Sequence, residues 1–137
     1  MPRTQTIKCL NFAKEIVNDI PENSWNMDDG NFYNFRSLFI HVCICLEKYF
    51  TIENDDKFNW GKFGGTEWWL NKYPIKSKMQ VIQDIDSIIE RINQNFDKIN
   101  ISRVIYANQH TMYHLGQLSI LSKNVGGKIP KWDSIFN

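Results

Sequence analysis

The stretch SKMQVIQDIDSIIERINQNFDKI, Ser77 to Ile99, decides the fold class. Met79, Ile82, Ile85, Ile89, Ile92, Phe96 and Ile99 recur at intervals of three, four or seven residues, a spacing that gathers side chains onto one face of a 3.6-residue helix. Ser77 followed three residues later by Gln80 spells a capping box, so the helix should open at Ser77 and run to about Lys98. Working outward, the same period predicts a first helix from Gln5 to Ile20, with Ile7, Leu10, Ala13, Val17 and Ile20 as its stripe and Pro21 as its stop. A second helix starts from Asn34 as N-cap and runs to Phe50, placing Leu38, His41, Cys45 and Tyr49 on one inner face. The fourth begins near Ser102 and ends between Asn124 and Gly127, where Gly126 and Gly127 suit a left-handed cap and Pro130 prevents resumption.

Two connections separate these helices. PENSWNMDDGNFY, Pro21 to Tyr33, reads as turn chemistry. The second, Thr51 to Ile75, is long and carries Gly61, Gly64, Gly65 and Pro74 beside Trp60, Trp68 and Trp69. Connections of that length usually serve a function or hold a short helix, and EWWLNKY is the candidate for one. No stretch alternates with period two. The expectation is an all-α chain: a four-helix bundle with a long crossover between helices 2 and 3, in a single domain covering residues 1–137.

Composition narrows the function. With 42% hydrophobic and 23% charged residues the chain has material for a core and is not intrinsically disordered. Sixteen basic against fifteen acidic residues leave +1, and the basic residues form no stripe interleaved with aromatics, so no nucleic-acid partner is expected. The N-terminus lacks the apolar run of a signal peptide, and the longest near-apolar stretch, Leu38 to Leu46, is interrupted by His41 and falls short of a membrane span. Cys9, Cys43 and Cys45 form no disulfide framework. A soluble, cytoplasmic protein is expected.

The chemistry lies in the histidines, of which there are three. His110 and His114 stand four apart in the fourth predicted helix, which sets both rings on one face about a turn apart, ready to share a metal ion. His41 lies on the inner stripe of the second helix, and bundles assemble sites from facing helices, so it completes a three-nitrogen set. Three imidazoles leave coordination positions open for water or substrate on Zn²⁺, Ni²⁺ or a similar ion. Such an ion should leave as the pH falls through roughly 6.5, because imidazole coordinates only when neutral.

The passage HTMYHLGQ, His110 to Gln117, with Val125-Gly126-Gly127-Lys128-Ile129-Pro130 after it, resembles the H-x-x-x-H-x-G-Q motif and following Gly-Pro of the DinB/YfiT-like superfamily of metal-binding four-helix bundles. RSLFIHVCICLEKYF, Arg36 to Phe50, supplies the second-helix histidine of that pattern. The resemblance covers most of the chain in layout and about a dozen positions in detail. It implies a divalent ion, zinc or nickel, on His41, His110 and His114. It also implies that Gly116 permits close helix approach and that Gln117 hydrogen-bonds near the site. The chemistry it implies is transfer or isomerisation assisted by a low-molecular-weight thiol, or metal-dependent hydrolysis, on a small-molecule substrate. Leu115 stands where relatives often carry a basic or polar residue, and the chain is shorter than many of them.

Other residues were weighed beside these. Cys45, four after His41, could add a thiolate or merely pack. Tyr106, four before His110, could donate to a metal-bound water or substrate, or be a core aromatic. Glu47, Asp84 and Asp86 are conceivable partners of an imidazole, although their positions favour solvent. Trp68 and Trp69 could wall a pocket or seal the bundle's end, and the aromatic crossover offers a surface for a homodimer. The competing reading from another class is a non-catalytic bundle whose metal is structural or sensed.

Overall fold

The structure is a computed structural model, and it describes residues 2–26, 35–50 and 76–128. These residues are helical and include no strand: α1 (Pro2–Asp19), α2 (Glu22–Asn26), α3 (Phe35–Tyr49), α4 (Lys78–Asn95), a 3₁₀ turn (Phe96–Lys98) and α5 (Ile101–Asn124). α1 packs against α4 and α5, and α3 packs against the same two, so four long helices surround one core. Phe12 and Ile16 from α1, Phe39 and Leu46 from α3, Ile85 and Ile92 from α4 and Leu115 from α5 meet in it, all but excluded from solvent. No described helix is long and apolar enough to cross a membrane.

α1 begins earlier than the expected Gln5. Pro2 occupies the first helical turn, where its missing N–H costs nothing and its fixed φ suits the helix. The largest departure is α2, which lies where turn chemistry was expected. The Trp25 amide donates to the Pro21 carbonyl at 2.9 Å, closing one helical turn. Trp25 is buried, its ring 6.0 Å from that of Phe39, and its indole N–H donates to the Lys76 carbonyl at 3.0 Å. One tertiary anchor outweighs a polar local sequence, which no periodicity could reveal.

The capping box at Ser77 forms as expected: the Gln80 amide donates to Ser77 Oγ at 3.1 Å and the Ser77 amide to Gln80 Oε1 at 2.9 Å. The buried stripe of α4, however, is Val81, Ile85, Ile88 and Ile92, while Met79 is exposed and Ile82 and Ile89 are half-buried. Val81–Ile82 and Ile88–Ile89 are adjacent apolar pairs, so two stripes sharing Ile85 and Ile92 satisfy the same period, and the placement of α1 and α3 selects between them. α5 is capped at its start by Asn100, whose Oδ1 accepts from the Ser102 amide at 2.9 Å. At its end the Gly127 amide donates to the Ser122 carbonyl at 2.8 Å and the Gly126 amide to Lys123 at 3.2 Å, with Gly126 at φ 93°. That pair of bonds is the Schellman arrangement, and it requires the positive φ that glycine supplies. The expected Asn34 cap, the crossover at 51–75 with its tryptophans and EWWLNKY segment, and Pro130 lie outside the described residues.

Candidate metal centre

α3 presents His41 to the interior because position 41 falls between the core residues Leu38 and Cys45 on one helical face, and the ring is 2% exposed. α5 presents His114 beside Leu115 and Leu118, also buried, while His110 one turn earlier is half-buried. Packing of α3 on α5 sets the three rings against each other. His110 Nε2 lies 3.1 Å from His114 Nε2 and 3.3 Å from His41 Nε2. Ligand atoms of all three fall within 4.8 Å of one another, a group able to hold a metal ion. With metal–nitrogen bonds of about 2.0–2.1 Å, tetrahedral ligands sit about 3.3 Å apart, and both separations from His110 Nε2 match that value.

The same geometry fixes proton positions. His114 Nδ1 is 2.8 Å from Gln117 Oε1; the carboxamide oxygen accepts, so Nδ1 carries the proton and the Nε2 lone pair faces the other rings. His110 Nδ1 is buried with no hydrogen-bond partner among the described residues. Burial pushes all three imidazoles down. His41 falls to about 2, with His114 and His110 adding to the effect, and His110 falls to about 4, with His114 adding. His114 is lowered by burial and partly restored by its bond to Gln117. The site therefore favours neutral rings, the protonation state that binds metal.

The surroundings sort the remaining candidates. Cys45 Sγ lies 3.5 Å from His41 Nε2 and 3.6 Å from Nδ1, and equal distances to both nitrogens put the sulfur over the ring face, off either lone pair. Its thiol is raised by burial and lies outside the three-histidine group; Cys9 and Cys43 are likewise free and buried. Tyr106 is not a core aromatic: it is 56% exposed, its ring near-parallel to His110 at 6.3 Å between centroids. Gln117 lies beside the cluster through its bond to His114.

Gly116 departs from its expectation: a Cβ there would meet nothing within 4 Å, so no described helix approaches it closely. The three carboxylates lie elsewhere, Glu47 with Arg91 at 3.6 Å, Asp84 with Lys76 at 2.5 Å and Asp86 with Lys14 at 2.6 Å. A cavity of about 180 Å³ opens between α3 and α4 beside Cys43, Asp84 and Arg91, away from the histidines.

Two residues near the centre carried no signal in the sequence as site residues. Tyr49, buried on α3, meets His110 edge-on at 5.9 Å and Tyr106 at 5.5 Å. Tyr113, exposed on α5, packs edge-on against His114 at 5.2 Å, and its hydroxyl accepts from Gln117 Nε2 at 3.4 Å, orienting the carboxamide oxygen toward His114. The i to i+4 spacing of Tyr113 and Gln117 was visible, but only a folded helix gives it meaning. Compared with known protein families, with curated proteins and with solved structures, the chain matches none.

Proposed function

We propose that the protein holds one divalent metal ion on His41, His110 and His114 and acts as a metal-dependent enzyme of the DinB/YfiT type, with its long crossover between the second and third long helices. One observation carries the reading: three imidazole Nε2 atoms, from two helices, converge at 3.1 and 3.3 Å. Lone pairs so directed repel unless a proton or a cation lies between them. Burial opposes a second proton on any ring, holding His41 near 2 and His110 near 4, so with the His114 proton on Nδ1 only the single N–H of His41 and of His110 is left to bridge the three nitrogens. A cation is what the pocket best accommodates, and three neutral nitrogen donors suit zinc or nickel.

The chain's own residues do the positioning. Gln117 holds the His114 proton on Nδ1 and so keeps the opposite nitrogen available. Core packing around His41 excludes water from its side of the site, while Tyr106 stands exposed beside His110, where a phenol can meet a ligand. When bound, the ion would stabilise a thiolate or lower the pKa of a water toward about 7, supporting thiol transfer or hydrolysis on a small molecule. Cobalt(II) titration followed by visible absorption tests the reading. Wild type should saturate at one equivalent, and His41→Ala, His110→Ala and His114→Ala should each weaken binding. Four indistinguishable titrations would refute it.

A second reading, a structural or sensing metal, is favoured by the burial of His41 and His114 in the bundle core. Azide added to the cobalt form separates the two. A changed spectrum shows an open coordination position, as catalysis needs, and an unchanged one a closed site.

A further inference from the structure

The geometry points to the outer face of α5 as the contact surface for a second copy of this chain, paired antiparallel about a two-fold axis between Met112 and Tyr113. Six large apolar side chains stand out as exposed among the described residues, and five of them, Ile101, Ile105, Tyr106, Tyr113 and Ile120, belong to this one helix. At 100° per residue Ile105, Tyr106, Tyr113 and Ile120 fall in one strip about 100° wide opposite the buried positions Val104, Ala107, Leu115 and Leu118, and Ile101 lies beside it at the helix start. From Val104 to Ser122 the helix contains no Asp, Glu, Lys or Arg. Its neighbours behave otherwise: the outer face of α4 carries Asp86 and Glu90, and that of α1 carries Glu15 and Asp19. A solvent-facing helix surface free of charge over five turns is what an interface core looks like.

Gly116 is the second observation. A mid-helix glycine costs roughly 0.5–1 kcal/mol relative to alanine, and among the described residues nothing compensates, because a Cβ there meets none of their atoms within 4 Å. Gly116 lies in the middle of the strip, where a small residue lets a foreign helix approach.

The strip also complements itself. Antiparallel pairing about the stated axis sets Ile105 against Ile120 of the second copy, Met112 against Tyr113, and Gln109 over the space left by Gly116. A two-fold contact demands this kind of self-matching, and an uncharged face brings no like charges together. The two isoleucines and two tyrosines of the strip, each about half or more exposed, offer on the order of 400 Å² of apolar surface. That is as large as the biggest patch on a typical monomer and short of the about 800 Å² per partner of a standard interface. The expected dimer is therefore one that dissociates on dilution.

Sedimentation equilibrium over a concentration series tests this. Wild type should rise with concentration toward twice the 16.2 kDa chain mass. Gly116→Lys puts a charged chain into the contact while improving helix propensity, so it should stay at 16.2 kDa with unchanged helical circular dichroism. Should that variant fail to fold, Ile120→Lys, at a position 65% exposed, must give the same shift to monomer. Gln83→Lys, on the exposed face of α4, should sediment like wild type. A wild type that remains monomeric throughout overturns the proposal and leaves the face to a partner of different sequence. So does a folded Gly116→Lys or Ile120→Lys that still dimerises, or a Gln83→Lys that does not.

Discussion

Gln117 illustrates how much a single side chain can settle. Its carboxamide oxygen, 2.8 Å from His114 Nδ1, selects one tautomer of one ligand. Gln117→Leu keeps the size and removes that acceptor, and should weaken metal affinity about 10- to 100-fold, the usual effect of losing such a partner. A cobalt titration equal to wild type would show that His114 needs no such support.

The protonation of the rings gives a second prediction. Folded, the three histidines titrate below 6.5; unfolded, they titrate near it. Below pH 6.5 the unfolded chain thus binds more protons, so the stability contributed by neutral burial is fully present above 6.5. It is lost as pH falls, through about 4 for His110 and further for His41. Each ring contributes a slope of up to about 1.4 kcal/mol per pH unit. Urea unfolding of the metal-free protein should show stability dropping from pH 7 to 5, and His41→Phe should flatten the drop. The same depression moves loss of the ion below the pH of roughly 6.5 expected for ordinary imidazoles.

At this scale the clustering histidines were legible and the side chains around them were not. His41, His110 and His114 announce themselves by residue type and by a four-residue spacing. Tyr49 and Tyr113 look like any other aromatics until the helices are placed, and Tyr106 gave no sign that it would stand outside the core.

Helix ends were the most readable elements, because capping depends on a few neighbouring residues. Ser77, Gln80, Gly126 and Gly127 each perform the backbone task their type suggests. Gly126→Ala would force a β-carbon onto a residue at φ 93° and should cost about 1–2 kcal/mol, read as a lower midpoint in urea. An unchanged midpoint would mean that the turn relaxes freely. Elements held by distant contacts were hidden. α2 exists through Trp25, which is fully buried and hydrogen-bonded across to Lys76. Trp25→Ala should cost about 3–5 kcal/mol, and a loss under 1 kcal/mol would show that the short helix is decorative. The stripe of α4 was legible in Ile85 and Ile92 and shifted elsewhere for a related reason: the adjacent pairs Val81–Ile82 and Ile88–Ile89 make the period visible and the phase ambiguous.

On the scale of the whole molecule, the sequence's apolar periods foretold the helical character of the described residues, and the packing of α3 on α5 explains how three histidines from two helices distant in sequence come together. Thr6 of α1 bonds Asn108 of α5, and Lys14 of α1 pairs with Asp86 of α4 at 2.6 Å, so polar ties across the helices accompany the core. With His41 sixty-nine residues from His110, only the assembled molecule makes the centre. A crystal grown without chelator, in the presence of zinc, and measured above and below the zinc absorption edge tests this most directly. One anomalous peak about 2.0–2.1 Å from the Nε2 atoms of His41, His110 and His114 is predicted. A map with no peak among those rings, or with the ion bound to other residues, would contradict the account.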